Sequence, residues 1–407
     1  MFMSGLAILI VIAMGYVWLT RGFFSALIHL VCTVIAGAVA FAVWEHAAYF
    51  LIDFAPTSGF LSFLGGTAWG LGLALPFAIT LALLRAGVDG VIRANVNPGT
   101  TANYIGGGVY GALAGVIAAG ITVISIGFLR METTFWGATH VGYADKGYIV
   151  RTGSGVGGLI FPVDKITTMI YGKLSQAAFR VDEPLAKYHP NLQEEPASLR
   201  LNAFEGKARN TTKPEDFSVT ARYQVGYDKN IPIAQLLRDR WSPGPQEAKD
   251  LNGNEYPAGS YIEMFIVNFK AGAKEKDGKV AVGAGQIRLL LQSKTDENDR
   301  IELYPIAAAS QADARETVAG RWRFDARETF IASVGGASEF PIGFEFVVPP
   351  GYEPIAMYVK GVRHMVSDAA TAKPQRNFAS TDERDLSLIH ISEPTRLRRI
   401  SYAVFCL

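Results

Sequence analysis

Two short segments of this sequence have the residue types that bind cofactors or metal ions. Residues 153–158 satisfy the G-x-G-x-x-G pattern of dinucleotide sites, but no second apolar strand follows, so the required βαβ unit is missing and a flexible linker is favoured. Residues 250–255 resemble a calcium loop, although their glycine and acids are not at EF-hand spacing, which favours a hairpin turn. We therefore predict no cofactor and no metal ion.

Signatures of catalysis are also missing from the sequence. Neither H-E-x-x-H nor G-x-S-x-G occurs, and His364 has no second histidine near it. The two cysteines, Cys32 and Cys406, cannot form a disulfide framework or a paired-thiol metal site. A formal net charge of +1 provides no basic field for nucleic acid. These observations predict a protein that is not an enzyme and does not bind nucleic acid.

Charged side chains are distributed very unevenly. Although 18% of all residues are charged, residues 1–130 contain only seven charged side chains, a proportion far below that of a soluble domain. These seven leave four long uncharged stretches, at 1–20, 22–44, 54–84 and 94–129. Each can cross a bilayer, because a helix of about 20 apolar residues spans the hydrocarbon core. We therefore predict that residues 1–130 form a four-helix transmembrane bundle in contact with the lipid bilayer.

The short connections between these spans predict the orientation of the bundle. Arginines in short loops are retained on the cytoplasmic side of a membrane. Arg21 lies between the first two spans, and Arg85 and Arg93 lie between the last two. The opposite face receives Glu45, Asp53 and Arg130. Both termini, and everything after the fourth span, are therefore predicted to be extracytoplasmic.

Three glycines and one histidine are the notable residues inside the spans. Gly107, Gly111 and Gly115 recur every four residues, a stripe that lets a neighbouring helix approach closely; lining a substrate path is the less common use. His29 could serve as an intramembrane proton relay or ligand contact. Because no span contains an acidic partner for it, a neutral imidazole bonded to a carbonyl or hydroxyl of a neighbouring helix is favoured.

Two motifs in the spans resemble the signatures of a known family. The motif residues are Arg21, Gly22 and Phe23 in an Arg-Gly-Phe turn, and Gly107, Tyr110, Gly111 and Gly115 in a Gly-x-x-(Phe/Tyr)-Gly-x-x-x-Gly run. Both are similar to motifs of the colicin V production protein (CvpA) family of four-span inner-membrane proteins. That family usually has Asp-Arg where Asn103 and Tyr104 stand, an acidic residue where Ser25 and Ala26 stand, and an arginine where Ala114 stands. The resemblance implies a bacterial inner-membrane location and an envelope-related role in secretion or export.

The remaining sequence predicts a junction followed by a β-rich domain. Within residues 131–197, an apolar stripe at helical spacing predicts an amphipathic helix on the outer membrane interface. The stripe consists of Val163, Ile166, Ile170, Leu174 and Ala177. Residues 198–366 then contain eight short alternating runs separated by turn residues, at 217–223, 261–270, 279–282, 286–292, 301–304, 321–324, 343–348 and 356–359. This pattern predicts an antiparallel, immunoglobulin-like β-sandwich, and α+β as the overall fold class.

The C-terminal residues contribute no functional prediction. Residues 367–385 are polar and typical of a linker. Residues 386–407, which include Cys406, resemble the translation of a sequencing adapter, and we leave them out of fold and function.

Two functional hypotheses follow from the sequence. The first is a CvpA-like inner-membrane protein with an envelope role, whose β-sandwich binds an envelope protein or a cell-wall component. The alternative is a channel or transporter subunit that uses the membrane bundle, with His29 as a polar site and a homo-oligomer contact through Gly107, Gly111 and Gly115.

Overall fold

The computed structural model describes most, but not all, of the chain. The described residues are 2–56, 60–92, 99–129, 141–143, 149–151, 158–179, 184–200, 209–228, 231–237, 255–274, 279–310, 320–323, 329–333, 339–380 and 383. The interpretations of residues 153–157 and 250–254, of Arg93 and Arg130, and of residues 386–407 lie outside them. The chain forms two compact units, a helical unit that ends at Lys213 and a β-rich unit that begins at Pro214.

Four long helices form most of the helical unit. They are α1 (Phe2–Arg21), α2 (Phe23–Phe54), α3 (Phe63–Val91, preceded by a 3₁₀ turn at Phe60–Ser62) and α4 (Thr100–Gly127). All four are long and apolar enough to cross a membrane. The prediction of four long apolar helices is therefore confirmed, and the reason is compositional: each uncharged stretch exceeds the length that a bilayer requires.

The four helices pack closely through small residues. A methyl group added at Gly72 of α3 would lie 2.8 Å from the backbone nitrogen of Ala48 in α2. One added at Gly70 of α3 would overlap the carbonyl oxygen of Ser125 in α4. Lipid offers no hydrophobic drive between helices, so such close backbone contact supplies the packing energy of the bundle.

A short fifth helix, α5 (Val163–Gln176), packs against the bundle and buries a mixed set of side chains. Val163, Thr167, Tyr171 and Ser175 are buried at four-residue spacing, and Asp164 is buried beside them, whereas Met169 is 55% exposed. Thr167 fits against Gly120 of α4 and Tyr171 against Gly37 of α2, where a methyl group would overlap either hydroxyl. The exposed positions of the helix include Lys165 and Lys173 as well as Met169, so its outward side is mixed.

The buried residues of α5 differ from the sequence prediction. The buried stripe runs through Thr167 and Tyr171, whereas Ile166, Ile170 and Leu174 of the predicted apolar stripe are only half-buried. The Tyr171 hydroxyl donates to the carbonyl oxygens of Thr33 (3.3 Å) and Val34 (3.2 Å), about 15 Å along α2 from its start. The helix therefore contacts the first half of α2, and its predicted position on the outer membrane interface stays a prediction.

The boundaries of the helical unit also differ from the prediction. We expected the bundle to end at residue 130 and a junction to fill 131–197, but residues 149–213 belong to the same compact unit as the long helices. Two short helices lie in this part, α6 (Leu185–Tyr188) and α7 (Glu195–Arg200). Polar contacts fix its end, since Asn210 and Thr211 donate to the carbonyl oxygens of Gly66 and Gly65 (both 3.0 Å).

The second unit is built from β-strands. Two strands of the chain precede it, β1 (Val141–Tyr143) and β2 (Ile149–Arg151), which pair with each other. The strands that follow are β3 (Phe217–Val225), β4 (Tyr261–Lys270), β5 (Lys279–Gly283), β6 (Ile287–Ser293), β7 (Arg300–Leu303), β8 (Ala307–Ser310), β9 (Gly320–Arg323), β10 (Thr329–Ser333), β11 (Glu339–Val348), β12 (Tyr352–Val359), β13 (Val362–Met365) and β14 (Arg376–Phe378). A single helical turn, α8 (Ile233–Leu236), follows β3.

These strands form one large sheet and two smaller ones. The six-stranded sheet has the order β14-β3-β4-β11-β8-β9, the four-stranded sheet β13-β12-β6-β7, and β10 pairs with β5. All the pairings are antiparallel except that of β14 with β3. The α+β class is therefore confirmed, whereas the immunoglobulin-like topology stays a prediction.

Strand β4, in the six-stranded sheet, is buried on both faces. Ile262 and Met264 belong to one apolar cluster, in which Phe378 is fully buried. The alternate residues include Phe265 and Glu263, both with no exposed surface. Phe378 also corrects the prediction of a polar linker at 367–385, since it anchors β14 to the sheet.

Candidate functional site

The most unusual polar group in the helical unit is a buried histidine held between two glutamates. The Nε2 atom of His189 lies 2.7 Å from Glu45 Oε1, and its Nδ1 atom lies 2.8 Å from Glu195 Oε1. All three side chains are less than one-tenth exposed. We call Glu45, His189 and Glu195 the buried triad.

Three elements of the helical unit position the triad. Glu45 lies in the second half of α2, His189 directly follows α6, and Glu195 is the first residue of α7. The turn between α6 and α7 brings Glu195 to the Nδ1 side of the imidazole ring, and Glu45 reaches the Nε2 side from α2. Local sequence explains where α6 begins. The residue before it, Pro184, has an extended backbone conformation, so the helix cannot begin before Leu185.

Aromatic side chains surround this part of the unit. The Trp44 ring meets the His189 ring edge-on, with 5.0 Å between the centroids. Trp44 also contacts Trp69 of α3 and Phe128, which follows α4, at 5.5 and 5.6 Å. These rings replace water around the triad, so the charges interact in a medium of low dielectric constant.

The electrostatics of the triad favour a charged imidazolium. Burial by itself lowers the pKa of His189, but the charges and hydrogen bonds of Glu195 and Glu45 raise it to about 9. At neutral pH, His189 therefore carries two N–H donors, one for each carboxylate. The triad can hold a proton in the bundle, or tie the 184–200 segment to α2. Its ring nitrogens are both engaged by carboxylates, and no His, Cys, Asp and Glu cluster in the described ranges has metal-binding geometry.

The first motif residues lie at the turn between α1 and α2. Gly22 has a φ angle of 94°, a conformation that strongly favours glycine, and it separates the last residue of α1, Arg21, from the first of α2, Phe23. The Phe23 backbone N–H donates to Asn103 Oδ1 at 2.7 Å. Asn103 of α4 thus satisfies one of the open donors at the start of α2, which explains a polar residue there.

The second motif packs directly on the first. The rings of Phe23 and Tyr110 meet edge-on with 5.3 Å between their centroids. A methyl group at Gly107 would lie 2.5 Å from the Trp18 carbonyl oxygen, and one at Gly111 would lie 2.6 Å from Trp18 Cβ. The structure therefore brings the two sequence motifs together at one corner of the bundle.

The glycine stripe is covered by α1 of the same chain. Gly115 continues the contact, because an added methyl group would lie 3.0 Å from both Val11 Cα and Met14 Cβ. All three stripe glycines, Gly107, Gly111 and Gly115, are buried. A second copy of the chain could contact this stripe only if α1 moved away from it. Another surface of the helices is therefore the better candidate for self-association.

His29 is buried beside the same corner. Its ring stacks on Trp18 at 4.3 Å with an interplanar angle of 23°. Neither ring nitrogen has a hydrogen-bond partner among the residues that the structure describes. The expected bond to a carbonyl or hydroxyl of a neighbouring helix is therefore not present there, because stacking on Trp18 determines the position of the ring instead.

Sequence reasoning missed the buried triad. Glu45 was interpreted only as a charge on the outer face, and His189 and Glu195 lie in a polar stretch without a motif. The two contacts of His189 join residues that are 144 and 6 positions apart in the chain. The one available signal was an isolated acid at the end of a long uncharged stretch, which requires a partner if it is buried.

Comparison with known proteins identifies no relative of the chain. No family model, no curated protein and no solved structure matches the chain. The resemblance to the CvpA family thus rests on the two motifs alone and stays a prediction.

Proposed function

We propose that the chain is a non-catalytic, CvpA-like inner-membrane protein with a role in secretion, export or envelope maintenance. Its β-rich unit would lie outside the cytoplasm and bind an envelope protein or a cell-wall component. The observation that carries this proposal is the direction of the four helices relative to their arginines. The segregated charge of the sequence supplies the second argument.

The helix directions follow from contacts within the helical unit. Gly107, near the start of α4, lies against Trp18 near the end of α1, whereas Ala119 and Val123 cluster with Met3 and Ala7. Helix α4 therefore ends beside the start of α1. The chain leaves the fourth helix at the end opposite to Arg21.

The arginines lie together at the other end. Arg85 of α3 approaches the Trp18 ring to 5.0 Å, and Arg21 approaches the same ring to 5.1 Å. Positively charged residues next to spans are retained in the cytoplasm. This rule supports an extracytoplasmic position for the residues after α4, including the β-rich unit.

Cysteine labelling in intact spheroplasts tests the orientation. Cys32 and Cys406 are first replaced by serine, and single cysteines are then introduced as Gly90→Cys, near the end of α3, or Asp296→Cys, in the exposed turn between β6 and β7. A membrane-impermeant maleimide should label the Asp296→Cys variant in intact spheroplasts and the Gly90→Cys variant only after lysis. The reverse pattern would refute the orientation and the envelope role with it.

Binding to the cell wall is tested with the full chain in detergent. The purified protein should sediment with isolated peptidoglycan or cross-link to an envelope protein when an impermeant cross-linker is applied to intact cells. A chain that does neither, although the labelling places its β-rich unit outside, would remove the partner-binding part of the proposal.

The buried triad favours a second function, a channel or transporter subunit linked to protons. Intramembrane acids and histidines commonly form proton pathways, and Glu45 belongs to a membrane-spanning helix. Proteoliposomes that contain the wild-type chain should then conduct protons under a pH gradient, and Glu45→Gln should slow this at least about tenfold. The matched control is Asp53→Asn, an exposed acid of the same helix. A flux equal to that of empty vesicles would exclude this function, and His29→Ala tests the second polar site in the same assay.

A further inference from the structure

We infer that the end of the α2–α3 hairpin opposite to Arg21 is a contact surface for a second copy of the chain. The surface consists of Phe50 and Phe54 of α2 and of Phe60 and Phe63 at the start of α3, and we call it the hairpin tip. The inference uses the membrane helices, but it depends neither on the envelope role nor on the side of the membrane to which the tip belongs.

Large apolar side chains are exposed at the hairpin tip. Phe50 and Phe54 are 67% and 62% exposed, and their rings stack with 6.2 Å between the centroids. Phe60 is 87% exposed and meets the ring of Phe63 edge-on, with 5.6 Å between the centroids. Both pairs lie at the same end of the hairpin, because only a short connection separates the end of α2 from Phe60.

The hydrocarbon of the bilayer does not reach the tip, because α2 is longer than the bilayer core is thick. Its 32 residues extend over about 48 Å, whereas the core is about 30 Å thick. A typical tilt of about 20° shortens this reach by only about 3 Å. The tip also contains a charged pair, since Asp53 contacts Lys213 at 3.2 Å and its side chain is 63% exposed. Exposed charges are costly in hydrocarbon, so these last turns of α2 lie beyond it.

An apolar surface outside the hydrocarbon favours a protein partner. Exposed apolar patches of this kind mark interaction sites on soluble surfaces. The four rings expose on the order of 500 Å² per copy, if one phenylalanine side chain presents about 200 Å². One partner of a standard interface buries about 800 Å², so the rings supply most of one side of such an interface.

Membrane geometry and charge identify the partner as a second copy. Copies of one membrane protein have the same orientation, so the tip of one copy lies at the same height as the tip of its neighbour. A two-fold axis along the membrane normal pairs such a surface with itself. Asp53 and Lys213 are an acid and a base side by side, so the same axis can bring Asp53 of each copy to Lys213 of the other. The hairpin tip is therefore complementary to itself in polarity and in charge.

Cross-linking of the full chain in native membrane vesicles tests the contact. Cys32 and Cys406 are replaced by serine, and Ser62→Cys then places a single thiol at an exposed position of the tip. A short bismaleimide should join two copies of this variant at least about tenfold more efficiently than two copies of a Gly90→Cys variant, because only the tip thiols are held close together. Gly90 is the matched control, since it is exposed at the opposite end of α3.

A substitution of one ring tests the apolar part of the contact. Phe54→Ser, added to the Ser62→Cys chain, should reduce cross-linking at least about tenfold, because aromatic anchors supply most of the binding energy of an interface. Phe54 is largely exposed, so the fold should tolerate the change. The control is Ile160→Ser, at a side chain of the helical unit that is 74% exposed away from the tip, and it should leave cross-linking unchanged.

Charge reversal tests the pairing between copies. An Asp53→Lys chain and a Lys213→Asp chain are co-expressed with different tags in the Ser62→Cys background. Like charges face each other in either homodimer, whereas opposite charges face each other in the mixed dimer. Mixed dimers should therefore exceed each homodimer at least about fivefold.

Four results would overturn the inference. Equal cross-linking of the Ser62→Cys and Gly90→Cys variants would show that the tip does not meet itself. Cross-linking unchanged by Phe54→Ser would remove the phenylalanines from the contact. Mixed dimers no more abundant than homodimers would remove the charge pairing. A Ser62→Cys chain joined only to a different protein would assign the tip to another partner.

Discussion

The buried triad makes a quantitative prediction for the Glu45→Gln variant. The pKa of His189 is about 9, compared with 6.5 for an unperturbed histidine. At about 1.4 kcal/mol per pKa unit, this difference corresponds to about 3 kcal/mol of stability at a pH where the imidazole is protonated in both states. Removal of one partner from a buried ion pair typically costs about 3–5 kcal/mol. We therefore expect Glu45→Gln to lower the free energy of unfolding by about 3 kcal/mol below about pH 6.5, where the stabilisation by the charged imidazole is complete.

The pH dependence of stability follows from the sign of the shift. The folded state binds the His189 proton more tightly than the unfolded state, so its stabilisation is complete below about pH 6.5 and is lost as the pH rises through about 9. The wild type should lose stability over this window. The Glu45→Gln variant should lose less, because its imidazole retains only one carboxylate.

Equilibrium unfolding of the full chain in mixed micelles, followed by circular dichroism, provides the measurement. The control is Asp53→Asn, which removes an exposed pair with Lys213 at 3.2 Å, and we expect a change below about 1 kcal/mol. Two results would refute the reasoning: equal losses in the two variants, or a wild-type stability that stays constant between about pH 6.5 and 9.

Three further substitutions probe packing and buried polar contacts by thermal unfolding of the full chain. Gly111→Leu should destabilise the protein by about 1–3 kcal/mol, because the added side chain overpacks against α1. Its control, Gly87→Leu, should have little effect, because nothing lies within 4 Å of a methyl group added at Gly87. Similar losses in the two variants would contradict the contact between Gly111 and α1. Tyr171→Phe should lower the free energy of unfolding by about 1 kcal/mol, because the carbonyl oxygens of Thr33 and Val34 lose their hydrogen-bond donor. Tyr16→Phe, at an exposed tyrosine, should cause no measurable change. An unchanged stability of the Tyr171→Phe variant would argue against the docking of α5. Glu263→Gln should lower the free energy of unfolding by about 3 kcal/mol, since it removes the carboxylate charge to which Arg222 donates two hydrogen bonds. A loss of stability below about 1 kcal/mol would mean that water solvates this ion pair.

Composition and alternation were sufficient to predict the main elements. The four uncharged stretches became α1 to α4, because a membrane span is defined by its own residues and needs no distant partner. Strand β4 coincides with the predicted run at 261–270, and β3 differs from its prediction only at one end. Alternating residues and turn signals are local, so a single sequence contains them.

Features that depend on distant contacts could not be read from the sequence. The apolar stripe through Ile166 predicted an amphipathic helix on the outer membrane interface, but α5 buries Thr167 and Tyr171, because glycines of two distant helices leave room for them. Strand β14 lies within residues 367–385, which the sequence predicts to be a linker. The apolar residue that packs this strand into the core, Phe378, stands among polar neighbours in the sequence. The triad and the pair of His29 with Trp18 join different helices and left no local pattern.

The docking of α5 has a consequence for the order of assembly. Its 14 residues are too few to cross a bilayer, and two of its buried side chains, Thr167 and Tyr171, fit against Gly120 and Gly37 of two different helices. The surface that receives α5 therefore exists only once α2 and α4 lie side by side. Helix α5 completes the helical unit after these longer helices have come together.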